Sequence, residues 1–135
     1  MKIAILDLGT NTFHLLIADV NEDGSWSKIL KERVTVKLGK GGIDKQFITQ
    51  SAYTRGIRAL RKFNLSLIQF KVTNIYAFGT AALRSASNGL QFLKEVKQKF
   101  GLDIRLISGS EEAELICHGV RQAVKLGTTK SLIMD

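Results

Sequence analysis

The 135-residue chain contains no proline and a single cysteine, Cys117. One thiol cannot build an internal disulfide framework, so a reducing cytoplasm is the expected compartment. No low-complexity tract, proline-rich linker or internal repeat divides the sequence, and its length fits one domain. No apolar run approaches the ~18 residues of a membrane helix, and no basic-then-apolar leader precedes a small-residue cleavage site. A soluble protein without a membrane partner is therefore expected. Neither a GxxxxGK(S/T) loop nor a GxGxxG fingerprint is present. His14, His118 and Cys117 have no recognised metal-ligand spacing. Cys117 and His118 are adjacent on an expected helix, so they point apart and make a poor catalytic pair.

Acidic residues are scarce in one region in particular. Residues 28–105 hold sixteen Lys or Arg against four acids, a balance of +12, whereas residues 1–27 and 106–135 are slightly acidic. The net charge of +8 therefore comes wholly from the middle of the chain. Such a field concentrates polyanions without choosing among phosphate chains, nucleotides, nucleic acid or acidic lipid. Aromatic content of 7% and the lack of a nucleic-acid fold motif argue against nucleic acid as partner. A solvated surface remains the plain explanation for any one lysine.

Hydrophobic patterning places strands over residues 3–6, 13–20 and part of 26–38, with the turn NEDGS at 21–25. The first reads as a central strand buried on both faces, and the three together as an antiparallel meander. Tyr53, Ile57, Leu60, Phe63 and Leu67 then follow helical spacing behind Thr49, a candidate cap. A short strand over 74–79 precedes a helix opened by Asn88 and Gln91, which resemble a capping box, and closed by Gly101. Leu93, Val96 and Phe100 are its expected inner face. A strand over 104–107 leads to a second box, Ser108 with Glu111, and a helix reaching about Lys125. SLIMD at 131–135 reads as a last strand. The order βββ-αβαβα-β predicts an α/β fold, a mixed sheet flanked by helices, of the ribonuclease-H-like or actin-like half-domain kind.

Three segments can carry chemistry. DLGTN at 7–11 follows a strand, where Asp7 can hold a divalent cation. There Gly9, Thr10 and Asn11 offer close backbone approach and donors to a phosphate. The same residues also suit an ordinary hairpin turn. In GTAALRSASN at 79–88, Arg84 is the one long cation among small residues and can pair with a phosphate, or simply sit at a helix start. In ISGSEEAELI at 107–116, Glu111 fits a cap, which leaves Glu112 able to act as a general base. LGKGG at 38–42 reads as a flexible loop near these segments.

Taken in order, AILDLGTNTFHLLIADV, LGKGG, GTAALRSASNGLQFL, ISGSEEAELICHGV and LIMD resemble the exopolyphosphatase and guanosine-pentaphosphate phosphohydrolase family over essentially all 135 residues. DLGTN alone is shared with sugar kinases, actin and heat-shock ATPases, whereas ALRSASN and SGSEEA are more specific. The resemblance implies two actin-like lobes with a phosphate and metal site between them. Residues 1–127 would form the first lobe, and 128–135 the first strand of a truncated second one. By the same resemblance Glu112 would activate the attacking water, and Asp7 and Asp135 would hold Mg²⁺. Gly9, Thr10, Asn11 and Arg84 would surround the terminal phosphoryl group of inorganic polyphosphate or guanosine pentaphosphate. A homodimer of the full-length protein is compatible with it. Thr10 and Thr12 stand where serine is more usual, and Lys40 where an acid is common. With the second phosphate loop missing beyond Asp135, these residues alone are expected to catalyse little. The competing expectations are another actin-like kinase or ATPase, and a non-enzymatic polyanion-binding module.

Overall fold

The structure, a computed structural model, describes residues 1–42 and 46–123. Among these, five strands form one mixed sheet in the order β3-β2-β1-β4-β5. β1 (Lys2–Leu8), β2 (Thr12–Val20) and β3 (Trp26–Thr35) form the antiparallel meander that the turn signals predict. β4 (Asn74–Gly79) and β5 (Ile104–Leu106) run parallel to β1. Parallel neighbours require crossovers, and helices supply them. These are α1 (Gln50–Gln69), α2 (Ala81–Ser85) and α3 (Gly89–Phe100), while α4 (Gly109–Ala123) follows β5. The expected last strand and the boundary near residue 127 lie outside the described residues.

One core joins the sheet to α1 and α3. Ala4, Leu6 and Leu8 of β1 and Phe13, Leu15 and Ile17 of β2 alternate toward it, as period-2 patterning requires. From α1 come all five residues of the expected apolar face, Tyr53, Ile57, Leu60, Phe63 and Leu67. The Thr49 hydroxyl accepts from the Ala52 N–H, as the cap reading requires. From α3 the deepest residues are Phe92 and Val96, with Leu93 and Phe100 at the margin. Gly56 explains how closely the two helices approach. A Cβ there would stand 2.9 Å from the Phe92 ring, which itself meets Tyr53 edge-on at 5.0 Å between centroids.

Two expectations need correction. β1 is central, yet it is buried on one face only, with Ile5 37% exposed between the fully buried Ala4 and Leu6. Its unbroken apolar run reflects a second face that α1 and α3 do not reach. Asn88 stands at the N-cap of α3 but makes no cap hydrogen bond. Its side chain instead accepts from the Ile48 N–H and donates to the Ile48 carbonyl, both at 2.9 Å, fastening the segment before α1 to α3. Two backbone bonds to the buried Ile48 satisfy the amide more fully than one cap bond would.

Candidate active site

Because β1, β4 and β5 are parallel, their carboxyl ends lie along one edge of the sheet. The loops that follow them contain DLGTN, GTAALRS and ISGSEEA. Segments at 7–11, 79–85 and 107–113 thus arrive at one place. That edge is where open α/β sheets bind ligands.

Hydrogen bonds hold the segments together. The Thr80 N–H donates to the Leu8 carbonyl at 3.3 Å, and the Ile107 N–H to the Gly79 carbonyl at 3.1 Å. Arg84 is exposed, and its Nη1 donates to the Ile107 carbonyl at 2.6 Å, bridging the second segment to the third. One edge of its guanidinium is therefore committed to protein. The rest of the fork is left for a ligand.

The first segment is a tight turn in which the Gly9 N–H donates to Thr12 O at 3.1 Å. A Cβ at Gly9 would sit 2.9 Å from that oxygen, so a side chain here would force the turn open. Two of the loop's carbonyls are occupied. Thr10 O accepts from the Leu38 and Gly39 N–H groups, and Asn11 O from those of Val36 and Lys37. Among the described residues no protein acceptor takes the N–H of Thr10 or Asn11. A loop whose Thr10 and Asn11 carbonyls are turned to protein while their N–H groups stay available suits an anion. These bonds also show that LGKGG is packed against DLGTN rather than loosely hanging, and Arg55 anchors its approach through the Val36 and Lys37 carbonyls. Between the two loops and α2 lies a cavity of about 230 Å³, walled in part by Thr10, Gly39, Gly42 and Ser85. Asp7 and Glu112 are not among its walls.

The third segment divides the work of its two acids. Ser108 Oγ accepts from the Glu111 N–H at 3.1 Å, which is half of the expected capping box. The other half is absent, because the Glu111 carboxylate turns to Arg105 at 2.6 Å. Glu112 is half-buried one position on, and among the described residues its carboxylate meets no ion-pair or hydrogen-bond partner. Of the two acids it is the one available to a ligand.

Arg105 is the residue that motif reading overlooked. Sheet register aligns His14, Asp7, Phe78 and Arg105 across β2, β1, β4 and β5. Asp7 is exposed on the face away from α1 and α3, and Arg105 lies over the Phe78 ring at 5.3 Å. The signal was the alternation Ile104-in, Arg105-out, but it becomes meaningful only once the strand order is known. Among the described residues no group of three or more His, Cys, Asp or Glu side chains gathers as a metal centre. A single strand-end carboxylate is nevertheless compatible with Mg²⁺, which is commonly held by one or two carboxylates together with substrate phosphates. Asp135 lies outside the described residues.

Comparison with known proteins identifies the family and the fold. The profile of the Ppx/GppA phosphatase family matches residues 16–135. The chain belongs to that family. A Haemophilus influenzae protein named "Putative exopolyphosphatase" is 36% identical over 119 residues, covering 88% of this chain and 36% of that protein. The crystal structure of an exopolyphosphatase from Cytophaga hutchinsonii superposes with a TM-score of 0.87 at 43% identity, over 90% of this chain and 39% of that one. The Ppx/GppA family member from Aquifex aeolicus gives 0.84 at 28% identity, over 93% and 41%. The expected actin-like fold is thereby established. A T. thermophilus RuvC, solved in complex with a Holliday junction substrate, shares only the fold, at 11% identity and a TM-score of 0.52. The chain spans about two fifths of the length of its family relatives. No helix among the described residues is long and apolar enough to cross a membrane.

Proposed function

We propose that this chain forms the phosphate-binding lobe of a phosphohydrolase that releases the terminal phosphate of inorganic polyphosphate, or converts guanosine pentaphosphate to the tetraphosphate. One observation carries the reading. The parallel strands bring an anion-ready loop, a partly free guanidinium and an unpartnered glutamate to a single edge. Phosphoryl transfer asks a protein mainly for positioning and charge neutralisation, and this set provides both.

In this mechanism the N–H groups of Thr10 and Asn11 hold the terminal phosphoryl oxygens, with Gly9 allowing the approach. The free edge of Arg84 offsets charge that builds on those oxygens. The Glu112 carboxylate accepts a proton from the attacking water, a role worth about 10²–10⁴-fold in rate. By this reading Asp7 would hold Mg²⁺, together with Asp135. When bound, the ion would neutralise phosphate charge and orient the chain. Family membership and the exopolyphosphatase relatives support this choice of reaction over a kinase or ATPase.

The test is a comparison of substrates with the intact protein and Mg²⁺. Phosphate release from polyphosphate or guanosine pentaphosphate, at rates far above those for ATP, is expected. The faster of the two would identify the preferred substrate. ATP-dependent transfer to an acceptor, with no release from either proposed substrate, would overturn the reading.

A further inference from the structure

The basic middle of the chain has a second concentration of charge, away from the candidate active site. A hollow of about 380 Å³ lies between α1 and α3, walled by Arg58, Arg61, Lys99, Tyr53 and Glu95 among others. Its one carboxylate is already engaged. Glu95 accepts from the Tyr53 hydroxyl at 2.6 Å and pairs with Lys99 at 2.5 Å. The Lys99 ammonium first, and then the Tyr53 hydroxyl, hold that carboxyl below its ordinary range, so it stays charged and bound. Arg58 and Arg61 are exposed, and among the described residues neither has an ion-pair or hydrogen-bond partner. Two unpaired guanidiniums three residues apart share one helix face.

This hollow is not isolated. It shares Gln50, Tyr53 and Glu95 with a neighbouring one of about 360 Å³. That hollow in turn shares Phe47 and Ile48 with the cavity beside Thr10 and Ser85. A run of adjoining hollows thus leads from the phosphate loop, past the start of α1, to the free arginines. Along α1, Gln50 to Arg61 spans about 16 Å at 1.5 Å per residue.

We propose that this track seats the distal part of an inorganic polyphosphate chain whose end occupies the candidate active site. The inference rests on the hydrolase reading for the choice of ligand. Charge complementarity selects a polyanion. Phe47, on the track, is 48% exposed, but the cationic hollow offers no open aromatic surface, which favours a polyanion without bases. Tyr53 is the aromatic wall of the cationic hollow, and it is 9% exposed with its ring against Phe92. Single-stranded nucleic acid would need stacking platforms there.

The test measures binding to the intact protein of long-chain polyphosphate, tripolyphosphate and a single-stranded oligonucleotide, across a salt series. Arg58→Gln with Arg61→Gln is compared with Lys28→Gln plus Lys31→Gln, which removes equal charge from exposed positions on β3. All four substitutions are at exposed positions, so folding is retained. The Arg pair is expected to lower the ratio of long-chain to tripolyphosphate affinity on the order of tenfold. The salt slope for the long chain should fall by about 1 to 2. The Lys pair should leave that ratio as it is. An unchanged ratio in the Arg pair, an equal change in the Lys pair, or an oligonucleotide bound as tightly through the same arginines would each overturn the proposal. Because the readout is binding, loss of the hydrolase reading would show separately, as absence of phosphate release.

Discussion

The two faces of β1 are built for different work. Toward α1 and α3, Ala4 and Leu6 are fully buried and Leu8 nearly so, within a core closed by Phe13, Phe63 and Phe92. On the other face, Ile5 is partly exposed and Asp7 stands in a cross-strand row with Phe78 and Arg105. Neighbouring residues of one strand thus divide between the core and the face that carries the proposed site. A carboxylate at Asp7 costs the core nothing, because it never enters the core. The same division explains why a single-sided core can carry a strand whose sequence looks buried throughout.

Substitutions at adjacent positions give the largest contrast. Leu6→Ala should destabilise the fold by about 2–5 kcal/mol through lost burial and a residual cavity. Ile5→Ala, one residue away, should cost about 1 kcal/mol. Denaturant unfolding of both variants measures the gap, and equal losses would break the comparison. Next in size is Asn88→Ala, which removes both bonds to Ile48 and leaves backbone groups unpaired at about 1–3 kcal/mol. Were Asn88 a simple cap, Asn88→Ser would rescue that loss. The clamp predicts that it will not, because serine cannot reach both groups.

A smaller effect depends on pH. The Glu95 carboxyl is lowered by Lys99 and Tyr53 from its ordinary value of 4.5. The unfolded chain therefore takes up this proton first as pH falls. The stabilisation is present above about pH 4.5 and is lost as pH drops through the folded value. Glu95→Gln should flatten that part of the acid limb in a stability-versus-pH series, and an unaltered limb would contradict the linkage. Smallest of all, Arg105→Gln should cost under about 1 kcal/mol, because its pair with Glu111 is exposed.

Much of this architecture was legible in the sequence, where spacing alone decides. Tyr53, Ile57, Leu60, Phe63 and Leu67 mark the buried face of α1, and Gly101 closes α3 in the left-handed conformation at φ 68°. What failed was the choice among competing partners and the reading of very short elements. Asn88 has the composition of a cap, but its partner Ile48 lies forty residues away. Ser108 and Glu111 have the spacing of a full box, yet Arg105 claims the carboxylate. The hydrophobic pattern predicts no separate helix over 81–85, because the single turn of α2 carries too little periodicity to register. The candidate site followed the same rule. Its three motifs could be identified locally, whereas their meeting at one edge follows from strand order.

The most direct measurement is Glu112→Gln in the intact protein, with phosphate release and thermal unfolding followed on the same sample. Glu112 has no partner among the described residues and lies in the first turn of α4, so its charge contributes at most about 1 kcal/mol to folding. The account predicts release slowed at least ~100-fold with the unfolding transition nearly unmoved. Full activity in the variant, or a loss of activity matched by a loss of fold, would contradict it.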